Sequence, residues 1–314
     1  MLRSQRTGTP QWPPPRVATN EIMRRPGLSE SVVWRSQERT RKMALSDEGG
    51  RVMTAEETTK GFGWRVYGLG VMALAMVCLA WGDFDPGQPV PKAFPDRTAL
   101  AYAAAAFMLV AGAAVQWRRT AAWGAAALTA YYALIVVILM NGRVVLAHYA
   151  EFGTYSGICE QLAITAGGLI VYAAGARIDA ALAARLTRLG QMAFGVCALL
   201  FGGAHFFYMN LTVPMVPKWL PPTQEFWAYA TGLGHIAAGV AILTGVQARL
   251  AAILLTAMFA SFTPLVHGPM LLADPSSHMI WSENALNLAL IGAAWVVADS
   301  LARPRRDNLQ AGPR

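Results

Sequence analysis

Charge is what this chain has least of. Only 14% of its 314 residues are Asp, Glu, Lys or Arg, against about 25% in an ordinary soluble domain, while 55% are hydrophobic. A soluble chain of this length would alternate polar faces with apolar ones, and long stretches here have almost no polar face. Cysteine is scarce too. Cys78, Cys159 and Cys197 form no CxxC pair and no metal-ligand spacing; each lies in or beside an apolar segment, the setting of a buried, inert thiol. Also missing are a phosphate-binding loop, a nucleophile–base pair and paired histidines at haem-ligand spacing. The formal net charge of +8 does not indicate nucleic acid. Much of the arginine, including Arg24, Arg25, Arg39 and Arg41, sits in residues 1–52, and the rest is in short loops between apolar runs.

Residues 1–60 contain no apolar run and carry Pro13-Pro14-Pro15. They cannot bury enough surface to offset the entropy of ordering and are expected to be disordered. They lack the apolar core of a secretory signal peptide. Two readings stand for them: a basic cytoplasmic tail attracted to anionic lipid, or an over-extended start, with Met43 or Met53 as the true first residue instead of Met1.

From Trp64 onward, what is abundant takes over. Eight apolar runs follow, at about 64–82, 98–116, 121–140, 157–176, 189–210, 226–246, 250–272 and 281–300. Each is near the ~20 residues needed to cross ~30 Å of hydrocarbon. Unpaired backbone groups are not tolerated in lipid and the runs are too long for barrel strands, so an all-α membrane protein of eight transmembrane helices is predicted. Lys and Arg concentrate in one set of short loops (Lys60, Arg65, Arg118, Arg119, Arg177, Arg185, Arg188, Arg249, Arg303, Arg305, Arg306). The opposite set has only Lys92, Arg97, Arg143 and Lys218. Both termini are therefore expected to be cytoplasmic.

The chain also resembles itself. Val90-Pro91-Lys92-Ala93-Phe94-Pro95 matches Val216-Pro217-Lys218-Trp219-Leu220-Pro221 at four of six positions, and Tyr102–Ala130 matches Tyr229–Ala257 at ten of 29. Glu160 and Glu283 are read as matching acids, each opening the last helix of its half. Four helices return the chain to its starting side, so the halves, 61–180 and 181–302 with a tail at 303–314, are expected to be parallel four-helix repeats about an axis along the membrane normal.

The stretch Gly203-Ala204-His205-Phe206, then Met215-Val216-Pro217-Lys218-Trp219-Leu220-Pro221-Pro222, then Phe226-Trp227-Ala228-Tyr229-Ala230-Thr231-Gly232 resembles the DoxX-like family of four-helix membrane proteins. Ala237-Ala238-Gly239 and Arg249-Leu250-Ala251-Ala252 also fit. The resemblance covers about residues 189–300 well and 64–176 more faintly, which implies a duplicated form in a bacterial cytoplasmic membrane. Most DoxX-like proteins have no assigned reaction; some relatives are membrane subunits in sulfur- or quinone-linked redox chemistry or in oxidant-stress complexes. The family's second helix commonly carries a glutamate where this chain has His235, so a role for that acid would be altered here.

Candidate chemistry is confined to a few residues. His235 falls about nine residues into its apolar run, roughly 13 Å deep at 1.5 Å per residue. Ionisable groups at such depth tend to face a bundle interior or cavity. It is either a structural histidine, with Gly232 and Gly234 allowing close approach, or a proton relay or quinone ligand. His205, His267 and His278 lie toward the outer ends of helices or in outer loops with Glu283. Such a group could coordinate a metal or form a proton-input site, but there is no local signature such as HxxxH, its ligands would have to converge by folding, and no metal is assigned. His267 stands between Pro264 and Pro269, where a kinked or broken helix end is expected. Glu160 and Glu283 are explained either by the helix dipole at a first turn or by a shared cavity, with Asn284 and Asn287 extending a polar pocket along the face after Glu283. Prolines stiffen the two loops holding Pro91, Lys92, Pro95 and Pro217, Lys218, Pro221. These loops are read as rigid lids, or as ports for an anionic or quinone-like molecule.

Three functions follow: a scaffold or partner subunit without its own reaction, a quinone-linked redox subunit that uses His235 with Glu160 or Glu283, or a small-molecule transporter. Partners implied are the lipid bilayer and a membrane or redox protein, not nucleic acid.

Overall fold

In hydrocarbon a backbone amide has no water to bond, so each apolar run has to close its hydrogen bonds within itself. The computed structural model describes residues 61–302, and within them every run does so. The expectations for residues 1–60 and for the tail from 303 lie outside the described residues. Eight long apolar helices occur among the described residues: α1 Gly63–Trp81, α2 Arg97–Val115, α3 Ala121–Ala147, α4 Phe152–Gly175, α5 Ala180–Phe207, α6 Gln224–Thr244, α7 Ala248–Ala273 and α8 His278–Ser300. No strand is present among them. This is an all-α protein with helices of membrane-spanning length, and large apolar side chains such as Val110, Leu139, Leu233 and Leu254 face outward, where lipid would cover them.

Starts are set by local chemistry. Thr223 Oγ1 accepts from the Phe226 amide, Ser277 Oγ from that of Ile280, and Asp179 from those of Ala181 and Leu182, each meeting an amide the helix leaves unpaired. α5 therefore begins at Ala180, nine residues before the predicted 189, because Arg185 and Arg188 dilute its first turns without breaking the helix. α4 likewise starts at Phe152 instead of 157, and α3 continues to Ala147 instead of 140.

Two helices change winding partway. α3 is π-wound over Tyr131–Asn141 and α7 over Thr263–His267. Of the kinked or broken helix end expected at His267, the break does not occur: the irregularity is a π turn that absorbs Pro264, and α7 continues to Ala273. Asn287 in α8 donates to the Phe259 carbonyl at 3.1 Å and to Thr263 Oγ1 at 3.0 Å, and Asn284 donates to the His267 carbonyl at 3.2 Å. The altered stretch of α7 is thus tied to its neighbour at both ends.

Helices from the two halves interlock. α1 packs most extensively on α8, and α5 packs on both α6 and α4, so the first helix of each half lies against the last helix of the other. The contacts α1–α2–α3–α4–α8 close one ring, and α5–α6–α7–α8–α4 close a second. The halves anticipated at 61–180 and 181–302 are therefore not separate bundles; α4 and α8 form a wall common to both rings. Small residues permit this approach. A Cβ on Gly292 would lie 2.1 Å from the Tyr67 nitrogen, and one on Gly70 would lie 2.3 Å from Ala289.

Candidate functional site

The second ring encloses a cavity of about 360 Å³. His205, His235, His267, Glu160, Glu283 and Asn287 all line it, although α4, α5, α6, α7 and α8 supply them from distant parts of the sequence. They run from mid-helix, at His235 and Asn287, toward the end of the bundle where α5 finishes and α8 begins, and the short helical turns at Met209–Thr212 and Val213–Met215 cover that end.

Two histidines stand at the centre. His235 is 2% exposed, and its ring centroid is 5.0 Å from that of His205. Phe201, Phe259 and Phe262 surround it at 6.1, 5.4 and 6.3 Å between centroids. The Nδ1 of His235 is 2.9 Å from the Thr231 carbonyl oxygen, and that of His205 is 2.8 Å from the Phe201 carbonyl oxygen. A carbonyl oxygen can only accept, so both rings carry their proton on Nδ1 and are pinned to their own helix one turn back. Glu160 and Glu283 enter from the common wall and interact electrostatically with each other.

The acids do not occupy the places expected of them. Glu160 is the ninth residue of α4 and Glu283 the sixth of α8, and neither lies in a first turn. Their depths differ by about three residues, or roughly 4.5 Å. Asn287, tenth in α8, is nearer the level of Glu160. A helix-dipole explanation is thereby removed for both, because that effect fades within the first turn.

Other predicted residues are placed elsewhere. Pro217 and Lys218 line a groove of about 590 Å³ between their loop and the Pro264–Ala273 stretch of α7, and Met215, Val216 and Val266 are common to this groove and the cavity. Pro91 lines a comparable groove of about 460 Å³ against α3, whereas Lys92 and Pro95 are exposed beside it and Pro221 accepts from Trp227 Nε1 at 2.8 Å. His278 stacks on Trp81 at 5.2 Å, and exposed His148 pairs with Glu151 at 3.0 Å. Among the described residues, no three of His, Cys, Asp and Glu converge as a metal site. The three cysteines are buried and free.

The first ring is filled where the second is open. Its loop after α1 turns inward and buries Phe84, Asp85 and Gln88, while the ion pair of Arg97 with Asp83 holds the loop's outer part. Gln88 accepts from Tyr131 Oη at 2.9 Å and donates to Met108 Sδ, 3.5 Å away. Asn141 donates to the Gly87 carbonyl at 3.0 Å, and Asp85 accepts from the Gly87 amide at 2.8 Å. Burial raises the Asp85 carboxyl above its ordinary range, a shift partly offset by that amide, by Ser282 and by His278. Sequence reasoning singled out neither this plug nor the phenylalanines around His235. Gln88 lies in a proline-rich loop that reads as solvent-facing, and an aromatic in an apolar helix carries no polar signal.

A family model for a domain of unknown function (DUF8561) matches residues 194–298, a stretch that runs from within α5 to near the end of α8 and includes the cavity residues other than those of α4. No curated protein and no solved structure matches the chain.

Proposed function

We propose that this chain is an integral membrane protein that binds a small lipid-soluble molecule in the cavity of its second ring. A quinone-type ring is the ligand class in view, and the chain would serve as the membrane subunit of a redox partner. The observation that carries this reading is the cavity itself, with the buried His235 in ring contact with the half-buried His205, and with no hydrogen-bond partner for either Nε2 among the described residues. A purely structural His235 would spend both nitrogens on neighbouring helices. Three phenylalanines suit a flat apolar ring, and Glu160 and Glu283 could exchange protons with it. The groove holding Lys218, which shares Met215, Val216 and Val266 with the cavity as a common wall, offers a way in at headgroup level.

The DoxX-like resemblance, the duplicated arrangement and a bacterial cytoplasmic membrane belong to the same proposal. Helix starts spaced alike in the two halves, Arg97 and Gln224 for α2 and α6, Ala121 and Ala248 for α3 and α7, support the duplication. With both termini cytoplasmic, as the loop arginines favour, the cavity lies nearer the outer face. A scaffold without a ligand would need no such chamber. A transporter would need access from both faces, and the lining residues run from mid-helix to one end only.

The test is extraction of the full-length protein, purified from native membrane, followed by mass spectrometry of co-purified small molecules and by quinone titration. Retention or uptake of a quinone-type molecule, abolished by His235→Ala, is expected. A folded protein that takes up none would overturn the reading.

A further inference from the structure

The hydrogen-bonding sense of the cavity specifies more than its presence. Both histidine Nδ1 protons are committed to backbone carbonyls, so each neutral ring offers only an Nε2 lone pair. Asn287 commits its amide hydrogens to Phe259 and Thr263, which leaves its carbonyl oxygen as the available group. The Thr231 and Thr212 hydroxyls donate to the carbonyls of Trp227 and Tyr208. Two glutamates, Glu160 and Glu283, line the walls, and no lysine or arginine does. The groups still able to donate are Ser156, Tyr208, His267 and, when protonated, Glu160 and Glu283. None is among the ring neighbours of His235, which are Phe201, His205, Phe259 and Phe262.

The first ring contains the complementary arrangement, already satisfied. Met108 is the twelfth residue of α2, as His235 is of α6. Its sulfur is an acceptor that receives two donors, Gln88 Nε2 at 3.5 Å and Tyr132 Oη at 3.3 Å. Tyr132 is the twelfth residue of α3, and the twelfth residue of α7 is Phe259, which cannot donate. Gln88 comes from an inserted loop, whereas the second loop stays at the rim, with Leu211 and Met215 exposed. At the same place in the fold, both donors that serve the first ring are thus missing from the second.

We infer that the ligand of the second ring supplies the missing donor: its head bears a hydroxyl, phenolic or quinol in type, that donates to His235 Nε2. In a quinone-type pair the cavity therefore holds the reduced form in preference to the oxidised one, whose carbonyl oxygen would meet the Nε2 lone pair at His235. A neutral hydroxyl also suits the phenylalanine surround better than a charged amine does. The inference rests on the ligand-pocket reading above and adds the polarity of its occupant.

The experiment is anaerobic equilibrium binding of a hydroquinone and the matching benzoquinone, each with a decyl tail, to the detergent-solubilised full chain. The hydroquinone is expected to bind about tenfold tighter or better, which corresponds to ~1.4 kcal/mol. His235→Phe, checked for a native elution profile, should bring the two forms to within about twofold of each other. Nitrogen NMR of the unmutated protein gives a second readout: hydroquinone should move the His235 Nε2 resonance in the direction of an accepted hydrogen bond, and benzoquinone should not. Benzoquinone binding as tightly as hydroquinone, or a preference that survives His235→Phe, would overturn the inference and leave the pocket standing. Failure of both forms to bind would overturn the pocket reading and this inference with it.

Discussion

Asn287 Nδ2 donates to the Phe259 carbonyl oxygen at 3.1 Å, joining α8 to α7 just before α7 leaves ordinary α-winding. The carbonyl sits four residues before Thr263 and five before Pro264, which has no amide to offer in a π turn. Asn287→Leu is expected to lower unfolding stability in detergent by about 1 kcal/mol, within the range of interhelical hydrogen bonds in membrane proteins. The same change should also weaken ligand retention, because the cavity wall shifts with α7. Thermal unfolding followed by circular dichroism, with ligand extraction in parallel, measures both.

The close approach of α1 to α8 gives a sharper prediction. Gly292→Val should prevent stable assembly, because even its Cβ would overlap the Tyr67 backbone at 2.1 Å. Gly157→Ala is the matched control, since a Cβ there meets nothing within 4 Å. In a helix that exchange should leave stability unchanged or raise it by up to ~1 kcal/mol. Monodispersity after purification separates the two outcomes.

Asp85 predicts a pH dependence. Its folded-state value is raised above the unfolded carboxylate's ~3.9 by burial. Its contribution to stability is therefore fully present below the unfolded value and is lost as pH rises through the folded one. Asp85→Asn keeps an oxygen for the Gly87 amide and removes the titration. The variant should be more stable than the parent at about pH 8, and the difference should shrink toward about pH 4. A pH series of melting curves on both proteins checks the sign.

Gln88→Ala removes the bond from Tyr131 and the donor to Met108 and leaves a void. A loss of about 1–3 kcal/mol is expected, with ligand affinity in the second ring unchanged. Binding titration alongside unfolding distinguishes this local effect from a global one.

Much of this is legible in the amino-acid sequence. Helices in lipid must be long, apolar and internally bonded, so eight spans could be read from composition, with errors where Arg185, Arg188 or Arg143 dilutes a helix end. His235 stood out because an ionisable group is costly at its depth, and it proved to be caged by aromatics beside His205. Glu160 lies deeper in its helix than its apolar run implies, because α4 begins before that run does. The π-winding of Tyr131–Asn141 has no proline to announce it, and the partner of its Asn141 is a loop glycine 54 residues away. The filling of one chamber by Gln88 was illegible for a related reason: long-range burial turned a polar loop residue into part of the core.

The wall formed by α4 and α8 has a consequence for how the chain can be divided. Ser282 lies beside Asp85 of the first ring, and the next residue, Glu283, lines the cavity of the second. Each half therefore borrows a side from the other. Either half expressed alone would present an uncovered flank, which a second copy of itself could close by supplying its own last helix. Gene fragments cut near residue 180 should yield dimers or aggregates, never stable monomers, and mixing the two fragments should restore the single-chain assembly.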